Sequence, residues 1–305
     1  MKATIVINPT SGKLHRNINV LKIEKIFKKY NYDVQILFTK YKGHAKKIAS
    51  EIDTDLLISV GGDGTFNEIM SGNFTRNKRI TLAHIPRGTA NDIGAMYGYS
   101  KFLYRNFELL LKGKIKNVDI CTINKEPFTY VAALGKYTNV SYDTPRYLKK
   151  RFGYLAYLIE GIKELNGKVR FYNMHYKVDG VELDGRYSFL LISNANRIAG
   201  INNIYKNIYL DDNCFEVLFC ELKTKKDIIR SLYHMKNRDI TTAGGFKFYK
   251  AKSLEITFDK PLKKGWSVDG EELLDKDTNF KIEIERNIKV LVPTKNIKKL
   301  FLDKE

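Results

Sequence analysis

A mostly apolar run that ends in a glycine-rich turn is the feature that most constrains this chain. Leu56 to Val60 has the length and composition of a buried strand, and Gly61-Gly62-Asp63-Gly64 follows it directly. Thr65 to Met70 is typical of the start of a helix. A strand-to-helix turn points backbone amides outward at the positive end of the helix, where anions bind. The sequence therefore predicts a phosphate cradle, in which Asp63 either binds a metal ion that bridges to phosphate or accepts a proton.

An ordinary glycine-rich turn is the plainer alternative for so short a motif. Two other phosphate-binding motifs are excluded by spacing. A Walker loop requires glycine where Ile7 stands, and Ser or Thr where Leu14 stands. The dinucleotide fingerprint requires a third glycine where Asn67 stands.

Composition indicates a folded protein with an anionic partner. The 305 residues suffice for two modest domains, and 53 Lys and Arg against 34 acidic residues give a net charge of +19. That charge suits nucleotide phosphates, a membrane surface or nucleic acid. Cys121, Cys214 and Cys220 show no metal-ligand spacing, which favours a reducing cytosol. The apolar run at the N-terminus is too short for a signal peptide, and no run approaches the ~18 residues of a membrane span.

The first part of the chain, residues 1–120, alternates strand and helix patterns. We expect strands at Ala3–Ile7, Val34–Phe38, Leu56–Val60 and Thr81–Ile85, with helices around Val20–Tyr30 and Gly43–Glu51. This repetition predicts an α/β domain with a parallel sheet that binds nucleotide. A second glycine-bearing turn, Pro86 to Asp92, follows the last of these strands. Because both turns leave parallel strands in the same sense, they should meet at one edge of the sheet.

The second part, residues 121–305, has a period of two and predicts a β-rich, antiparallel sandwich with helices, in which the final strands are able to return toward the first domain. Asp179-Gly180 and Asp269-Gly270 predict two hairpins. Helical patterns at Tyr147–Leu165 and Lys225–Met235 carry clustered basic residues. The expected strands are Val118–Ile123, Phe128–Ala133, Val169–Tyr176, Ser188–Ser193, Cys214–Leu222, Leu254–Phe258, Phe280–Ile284 and Ile288–Val292.

Three ordered motifs carry a family resemblance: Asn8-Pro9-x-Ser11-Gly12, Gly61-Gly62-Asp63-Gly64-Thr65-x-Asn67-Glu68 and Pro86-x-Gly88-Thr89-x-Asn91-Asp92. In this order and spacing the chain resembles the diacylglycerol kinase catalytic domain family, which includes soluble bacterial lipid kinases and is similar to sphingosine and ceramide kinases. The resemblance implies an N-terminal domain like that of NAD kinase and phosphofructokinase. It covers nearly the whole chain, continuing through Asp119, Lys149-x-x-x-Gly153, Ser193–Asn196, Leu210–Asp212 and Asp269-Gly270-Glu271.

The resemblance implies a role for each matching position. It makes Glu271 the proton acceptor, with Asp63 also catalytic. An Asp-Gly hairpin followed by Glu is also ordinary turn chemistry, and Thr39 and Thr89 are equally typical helix caps. ATP is expected at Asn8, Pro9, Thr10, Ser11, Gly12, Thr39, Gly62, Asp63, Gly64, Thr65, Asn67, Glu68 and Thr89.

The family's structural Mg²⁺ site corresponds to the loop before the Cys214 strand. There Asp212 would supply its side chain, and Tyr209 and Cys214 their carbonyl oxygens, which are ligands that Mg²⁺ prefers. An ordinary turn is the alternative for these residues.

The chain departs from the family pattern at three places. Ile93-Gly94-Ala95 lacks the family's usual aromatic and Arg, which removes a cation near the expected phosphates. Asn213 replaces the usual Gly, and because Asn tolerates left-handed φ we expect that turn to survive. Lys206-Asn207-Ile208 replaces the usual Pro-x-Ala. These departures bear on lipid choice and turnover.

The leading hypothesis is an ATP-dependent lipid kinase that phosphorylates the hydroxyl of diacylglycerol or a related lipid. The alternatives are a kinase of a soluble substrate, similar to NAD kinase, and a catalytically silent nucleotide- or membrane-binding protein. We expect a cytoplasmic protein that works peripherally at an anionic membrane surface, through Arg146, Lys149, Lys150, Arg151 and Lys223, Lys225, Lys226, Arg230. A homodimer is compatible with the sequence. No nucleic-acid partner is expected, because no recognised motif for one is present.

Overall fold

The computed structural model describes residues 1–12, 18–135, 170–198, 200–221, 223–224, 226–227, 230, 244–263, 265–273 and 275–303. The chain forms two compact units. Unit 1 consists of Met1–Val118 and Arg286–Glu305, and unit 2 of Asp119–Glu285.

Unit 1 alternates strands and helices along its first segment, Met1–Val118. Its elements are β1 (Lys2–Ile7), α1 (Val20–Lys28), β2 (Asp33–Phe38), α2 (His44–Glu51), β3 (Leu56–Gly61), α3 (Asp63–Phe74), β4 (Thr81–Pro86), α4 (Asp92–Met96) and α5 (Leu103–Leu111).

These strands form a parallel sheet in the order β2-β1-β3-β4. Val60 pairs with Ile7 on one side and Ile85 on the other, and every residue of β3 is buried. Burial on both faces explains why the sequence of β3 is a continuous run rather than an alternating one. Helix α1 places Ile23 and Phe27 in the core because they lie four residues apart on one face.

The described part of unit 2 consists mostly of strands. Its elements are β5 (Lys114–Ile123), β6 (Glu126–Phe128), β7 (Val131–Gly135), β8 (Tyr172–Val178), β9 (Val181–Tyr187), β10 (Phe189–Ser193), β11 (Arg197–Ile198), β12 (Ile201–Asn202), β13 (Phe215–Cys220), β14 (Phe246–Ala251), β15 (Ser253–Phe258), β16 (Ser267–Val268), β17 (Glu271–Glu272) and β18 (Asn279–Val292). Strands β5 and β18 each begin in one unit and end in the other. After β18, a 3₁₀ turn (Thr294–Asn296) and α6 (Ile297–Leu300) complete the elements of unit 1.

Two antiparallel sheets enclose the core of unit 2. One has the strand order β14-β13-β10-β7-β16-β17, and the other pairs β9, β8 and β15 with the first half of β18. Phe219 and Trp266 meet Tyr176 and Phe280 in the buried core between them. Alternation along each strand sends every second side chain into this core, which makes the unit a sandwich.

The structure confirms the expected fold class: an α/β unit with a parallel sheet, followed by a β-rich sandwich. Both hairpins are confirmed as well. Asp179 and Gly180 join β8 to β9, and Asp269 and Gly270 join β16 to β17, all four with positive φ. Such angles are those of type I′ turns, whose twist matches that of the strands they connect.

Some element boundaries differ from those expected from the sequence. Helix α3 begins at Asp63 rather than Thr65, and α4 and α5 were not expected. The strand expected at Phe128–Ala133 is divided between β6 and β7. The last two expected strands are one, β18, because Asn287 adopts positive φ without ending the strand. The helix expected at Tyr147–Leu165 lies outside the described residues, as does most of the one at Lys225–Met235.

Candidate active site

Three loops meet at the carboxyl edge of the sheet in unit 1. They follow β1, β3 and β4, whose parallel pairing brings their ends side by side. The Arg87 N–H donates to the Gly61 carbonyl at 2.5 Å, and a Cβ added to Gly88 would lie 2.5 Å from the Gly62 Cα. Only glycine permits backbones to approach this closely. The expected meeting of the two glycine-bearing turns is therefore confirmed.

Asn8 joins the loop after β1 to the start of α3. Its Nδ2 donates to Thr65 Oγ1 at 3.1 Å, and its Oδ1 accepts from the Thr10 N–H at 3.0 Å. The Ser11 hydroxyl accepts from the Gly62 N–H at 3.3 Å. Gly12 has a φ of +55°, and a side chain there would collide with the Arg87 carbonyl. These contacts explain the residue types of this motif by the packing of its loop against its neighbours.

Helix α3 begins at this edge. Its N-cap is Gly62, which has no side chain to cap the first turn. The positive end of the helix dipole favours an anion at this position. Nearby, Asn67 Oδ1 is buried without a hydrogen-bond partner among the described residues. The helix end suits an anionic group, and the Asn67 oxygen, which accepts hydrogen bonds, suits a ligand that also carries a donor.

Asp63 ties the starts of two helices together. Its carboxylate is 7% exposed; Oδ2 accepts from the Asp92 N–H at 3.0 Å and Oδ1 from the Ile93 N–H at 3.2 Å. A carboxylate in this position satisfies the first amides of α4 and interacts favourably with its dipole. Asp63 is thereby held in one orientation within the loops, an anchoring role that the sequence did not reveal.

A buried histidine lies next to this carboxylate, and sequence reasoning missed it. His84, on β4, has Nδ1 2.7 Å from Ser59 Oγ and Nε2 3.9 Å from Asp63 Oδ1. Burial lowers the pKa of His84 to about 3, so the ring is neutral near pH 7. If the Ser59 hydroxyl donates to Nδ1, the proton of the neutral ring is on Nε2, which faces Asp63 at a distance too long for a hydrogen bond. The signal in the sequence was a histidine inside an otherwise apolar strand.

Glu68 and Thr39 surround the neighbouring loop between β2 and α2. The Glu68 carboxylate accepts from the Gly43 N–H at 2.9 Å and the Ala45 N–H at 3.1 Å, so it caps α2, whose N-cap glycine has no side chain to do so. Thr39 follows β2 directly, and its N–H donates to the Ile7 carbonyl at 2.9 Å. Thr89 is exposed in the loop after β4. Contact of these residues with a nucleotide stays a prediction.

Glu271 lies in unit 2, directly after the turn between β16 and β17. The turn is fixed by Asp269, whose buried carboxylate accepts from the Thr129 N–H and hydroxyl at 2.6 Å and from the Tyr130 and Val131 N–H groups at 3.0 Å. Burial nevertheless raises the pKa of Asp269. Glu271 itself is exposed. The sequence thus contains two carboxylates with different tasks, one that holds the hairpin and one that the hairpin presents to solvent.

The predicted Mg²⁺ ligands also lie in unit 2. Asp212 Oδ1 accepts from the Cys214 N–H at 3.1 Å, and the Lys250 ammonium lies 2.5 Å from Asp212 Oδ2. A cation bound by Asp212 would have to share or displace this ammonium group. Among the described residues, no group of three or more His, Cys, Asp or Glu side chains is arranged to hold a metal ion. Binding of Mg²⁺ by Tyr209, Asp212 and Cys214 stays a prediction.

A buried glutamate close to this loop was not expected. Glu216 is 1% exposed on β13, directly opposite Ser193 on β10 and Lys250 on β14. Burial raises its pKa to about 8, an effect that Lys250 partly opposes and Asp212 reinforces. In the sequence, the only sign of this buried group was a single Glu within an otherwise apolar strand.

Known proteins resemble this chain along nearly its whole length. A sequence model of the diacylglycerol kinase catalytic domain matches residues 2–123. A diacylglycerol kinase of Staphylococcus epidermidis is 30% identical over 299 residues, which cover 96% of this chain and 92% of that protein. The chain belongs to the diacylglycerol kinase family. A diacylglycerol kinase of Staphylococcus aureus is 29% identical with the same coverage.

Solved structures agree with this assignment. A putative diacylglycerol kinase from Bacillus anthracis superposes with a TM-score of 0.79 at 25% identity, over 95% of this chain and 96% of that one. A second structure of a putative diacylglycerol kinase from the same organism has a TM-score of 0.80 at 24% identity and supports the fold. Membership in the diacylglycerol kinase family supports a transferase of the lipid kinase class, and the resemblance stated from the sequence motifs is confirmed.

Proposed function

We propose that this diacylglycerol kinase family member transfers the γ-phosphoryl group of ATP to the hydroxyl of diacylglycerol or a related lipid. The observation that carries the proposal is the start of α3, whose N-cap is a glycine and around which three glycine-bearing loops pack at one edge of the sheet. The arrangement offers backbone amides and a helix dipole to phosphate groups, as phosphoryl transfer requires.

In this proposal the loops of unit 1 hold ATP. Amides at the start of α3 bind phosphate oxygens, and Asn67 Oδ1, buried without a partner among the described residues, accepts a hydrogen bond from the nucleotide. Asp63 keeps the loops in register by capping α4. Mg²⁺ accompanying ATP would offset the phosphate charge, and Asp63 is the acidic group nearest the cradle in sequence. The proposed nucleotide contacts are Asn8 to Gly12, Thr39, Gly62 to Glu68 and Thr89.

Glu271 is the proposed proton acceptor. The hydroxyl oxygen of the lipid bonds to the γ-phosphorus, the bond from that phosphorus to the β–γ bridging oxygen breaks, and ADP leaves. The proton of the hydroxyl moves to the Glu271 carboxylate. An exposed carboxylate beside a turn fixed by four hydrogen bonds to Asp269 is accessible and held in position, as a general base must be.

The lipid substrate implies work at a membrane. Among the described residues, no helix has both the length and the apolar composition needed to cross a bilayer. The net charge of +19 supports peripheral binding to an anionic surface in the cytoplasm. Of the basic clusters expected to bind it, Arg146, Lys149, Lys150 and Arg151 lie outside the described residues, as does Lys225. The described members of the second cluster are Lys223, Lys226 and Arg230.

A panel of acceptors tests the proposal. Purified protein is incubated with ATP labelled in its γ-phosphate and with mixed micelles that carry diacylglycerol, sphingosine or ceramide, and NAD is supplied in parallel without micelles. Labelled lipid phosphate, with no labelled NADP, is the expected result. Labelled NADP without lipid phosphate would favour the kinase of a soluble substrate, and no transfer to any acceptor would favour a silent binding protein.

A further inference from the structure

An exposed aromatic side chain stands at the start of helix α5. Phe102 is 68% exposed and occupies the N-cap position, where its own side chain makes no capping hydrogen bond. Ser, Thr, Asn and Asp are favoured at an N-cap, because their oxygens accept hydrogen bonds from the first amides, whereas a large apolar residue cannot. Neither packing nor helix formation therefore explains a phenylalanine at this position.

The backbone beneath Phe102 is held firmly. Its N–H donates to Ser100 Oγ at 3.1 Å, and the Ser100 N–H donates to Asn106 Oδ1 at 2.8 Å. Asn106 Nδ2 donates back to the Ser100 carbonyl at 2.9 Å, and the Asn106 side chain is buried. This closed set of hydrogen bonds fixes the turn before α5. Phe102 is thus presented to solvent from an ordered backbone.

Arg87 connects this turn to the candidate site within unit 1. Its Nη1 donates to the Lys101 carbonyl at 3.1 Å, while its N–H donates to the Gly61 carbonyl at 2.5 Å. One residue of the loop after β4 therefore bonds both to the residue before Phe102 and to the glycine turn after β3. The turn that carries Phe102 is thus linked through Arg87 to the edge of the sheet at which the three loops meet.

Basic residues flank Phe102 in the chain. Lys101 precedes it and Arg105 follows it, both are exposed, and residues 98–105 contain no Asp or Glu. Lys295, also exposed, comes from the C-terminal turn of the chain, and its Cδ would lie 3.1 Å from a Cβ added to Gly98. The nearest carboxylate along α5 is Glu108, one turn beyond Arg105. We name Lys101, Phe102, Arg105 and Lys295 the basic corner.

We propose that the basic corner is a membrane anchor that binds anionic lipid. Phe102 enters the headgroup region, where aromatic side chains partition favourably, and the three cations lie against anionic headgroups. An aromatic ring flanked by cations is complementary to a bilayer whose anionic headgroups cover an apolar interior. The anchor would bring the phosphate-binding edge of unit 1 to the bilayer, so a role of the anchor in catalysis rests on the lipid kinase function proposed above. Binding of the protein to vesicles does not depend on that function.

Vesicle co-sedimentation without nucleotide tests the anchor. Vesicles of phosphatidylcholine with and without phosphatidylglycerol are compared for the wild type, Phe102→Ser and the control Val181→Ser. Val181 is 60% exposed in unit 2 and is followed by Glu182, so the control removes a similarly exposed apolar side chain from an acidic neighbourhood. We expect Phe102→Ser to weaken binding to anionic vesicles about tenfold, the effect of removing one large apolar side chain from the interface. The control should bind as the wild type does.

The stability of the same variants separates anchoring from folding. Because Ser is a good N-cap, Phe102→Ser should keep or raise the melting temperature while it weakens vesicle binding. Lys101→Ala with Arg105→Ala should flatten the decline of binding with rising salt, since fewer charges are then screened. Wild-type binding by Phe102→Ser, or an equal loss in Val181→Ser, would overturn the proposal, as would equal binding of the wild type to neutral and anionic vesicles.

Kinase assays distinguish failure of the anchor from failure of the lipid kinase function. With long-chain diacylglycerol in vesicles, Phe102→Ser should raise KM about tenfold and leave kcat unchanged, because only access to the interface is weakened. With a short-chain diacylglycerol dispersed in solution, the variant and the wild type should be equal. A wild type that binds anionic vesicles through Phe102 but phosphorylates no lipid would contradict the proposed function and leave the anchor standing. Loss of activity on the short-chain substrate in Phe102→Ser would contradict the anchor.

Discussion

Replacing the buried His84 and its partner Ser59 should change how the stability of the protein depends on pH. Burial lowers the pKa of His84 from 6.5 to about 3, so the folded protein binds this proton less readily than the unfolded chain does. The contribution of His84 to the free energy of unfolding is therefore fully present above pH 6.5, and it is lost as pH falls from 6.5 toward 3. For these two values, the free energy of unfolding should fall by about 2 kcal/mol between pH 7 and pH 5 on account of this residue alone.

The variant is Ser59→Ala with His84→Val, which removes both members of the hydrogen bond so that neither remains buried and unsatisfied. Urea unfolding followed by circular dichroism at pH 7, 6 and 5 gives the free energies. The wild type should lose about 2 kcal/mol more than the variant over this range. His175→Gln removes an exposed histidine and should follow the wild type. Parallel declines in the wild type and the double variant would refute the argument from burial.

Three further changes test other contacts. Asp269→Ala should lower the free energy of unfolding by about 3–5 kcal/mol in urea melts, because buried donors lose a charged acceptor, and a change under 1 kcal/mol would contradict this. Glu68→Ala should lower it by about 1–2 kcal/mol through the lost cap on α2, whereas Glu51→Ala at the other end of that helix should not. If Asp212 binds Mg²⁺, added Mg²⁺ should raise the melting temperature of the wild type but not of Asp212→Ala; equal rises would place the ion elsewhere.

The sequence predicted those parts of the fold that depend on local pattern. The apolar run of β3 and the glycines after it indicated a strand-to-helix turn, and parallel strands required the turns to meet. Asp179-Gly180 and Asp269-Gly270 predicted hairpins, because these residues adopt positive φ at little cost. The motifs at Asn8, Gly61 and Pro86, taken together, predicted the family.

The parts that the sequence did not predict depend on contacts between distant residues. Asp63 was expected to act on phosphate or metal, but its bonds to the amides of Asp92 and Ile93 became evident only once α4 was placed. Likewise, Ser59 and His84 are 25 residues apart, and only the pairing of β3 with β4 brings them together. No local pattern encodes such a pair.

The hairpin of unit 2 shows the same limit. Its turn was predicted, but the residues that fix it were not, since Asp269 bonds to a segment about 140 residues earlier in the chain. The loss of regular strand between β6 and β7 follows from this contact, because the Thr129 and Tyr130 amides turn toward the carboxylate. The sequence pattern there was compatible with one continuous strand.

The most direct test of the lipid kinase account compares two adjacent glutamates. Glu271 and Glu272 are both exposed on β17, and only Glu271 is proposed to accept the proton of the lipid hydroxyl. With labelled ATP and diacylglycerol in mixed micelles, Glu271→Gln should lower kcat by at least about 10²-fold, with KM for ATP and the melting temperature close to those of the wild type. Glu272→Gln should retain activity. Full activity of Glu271→Gln, or an equal loss in both variants, would contradict the account.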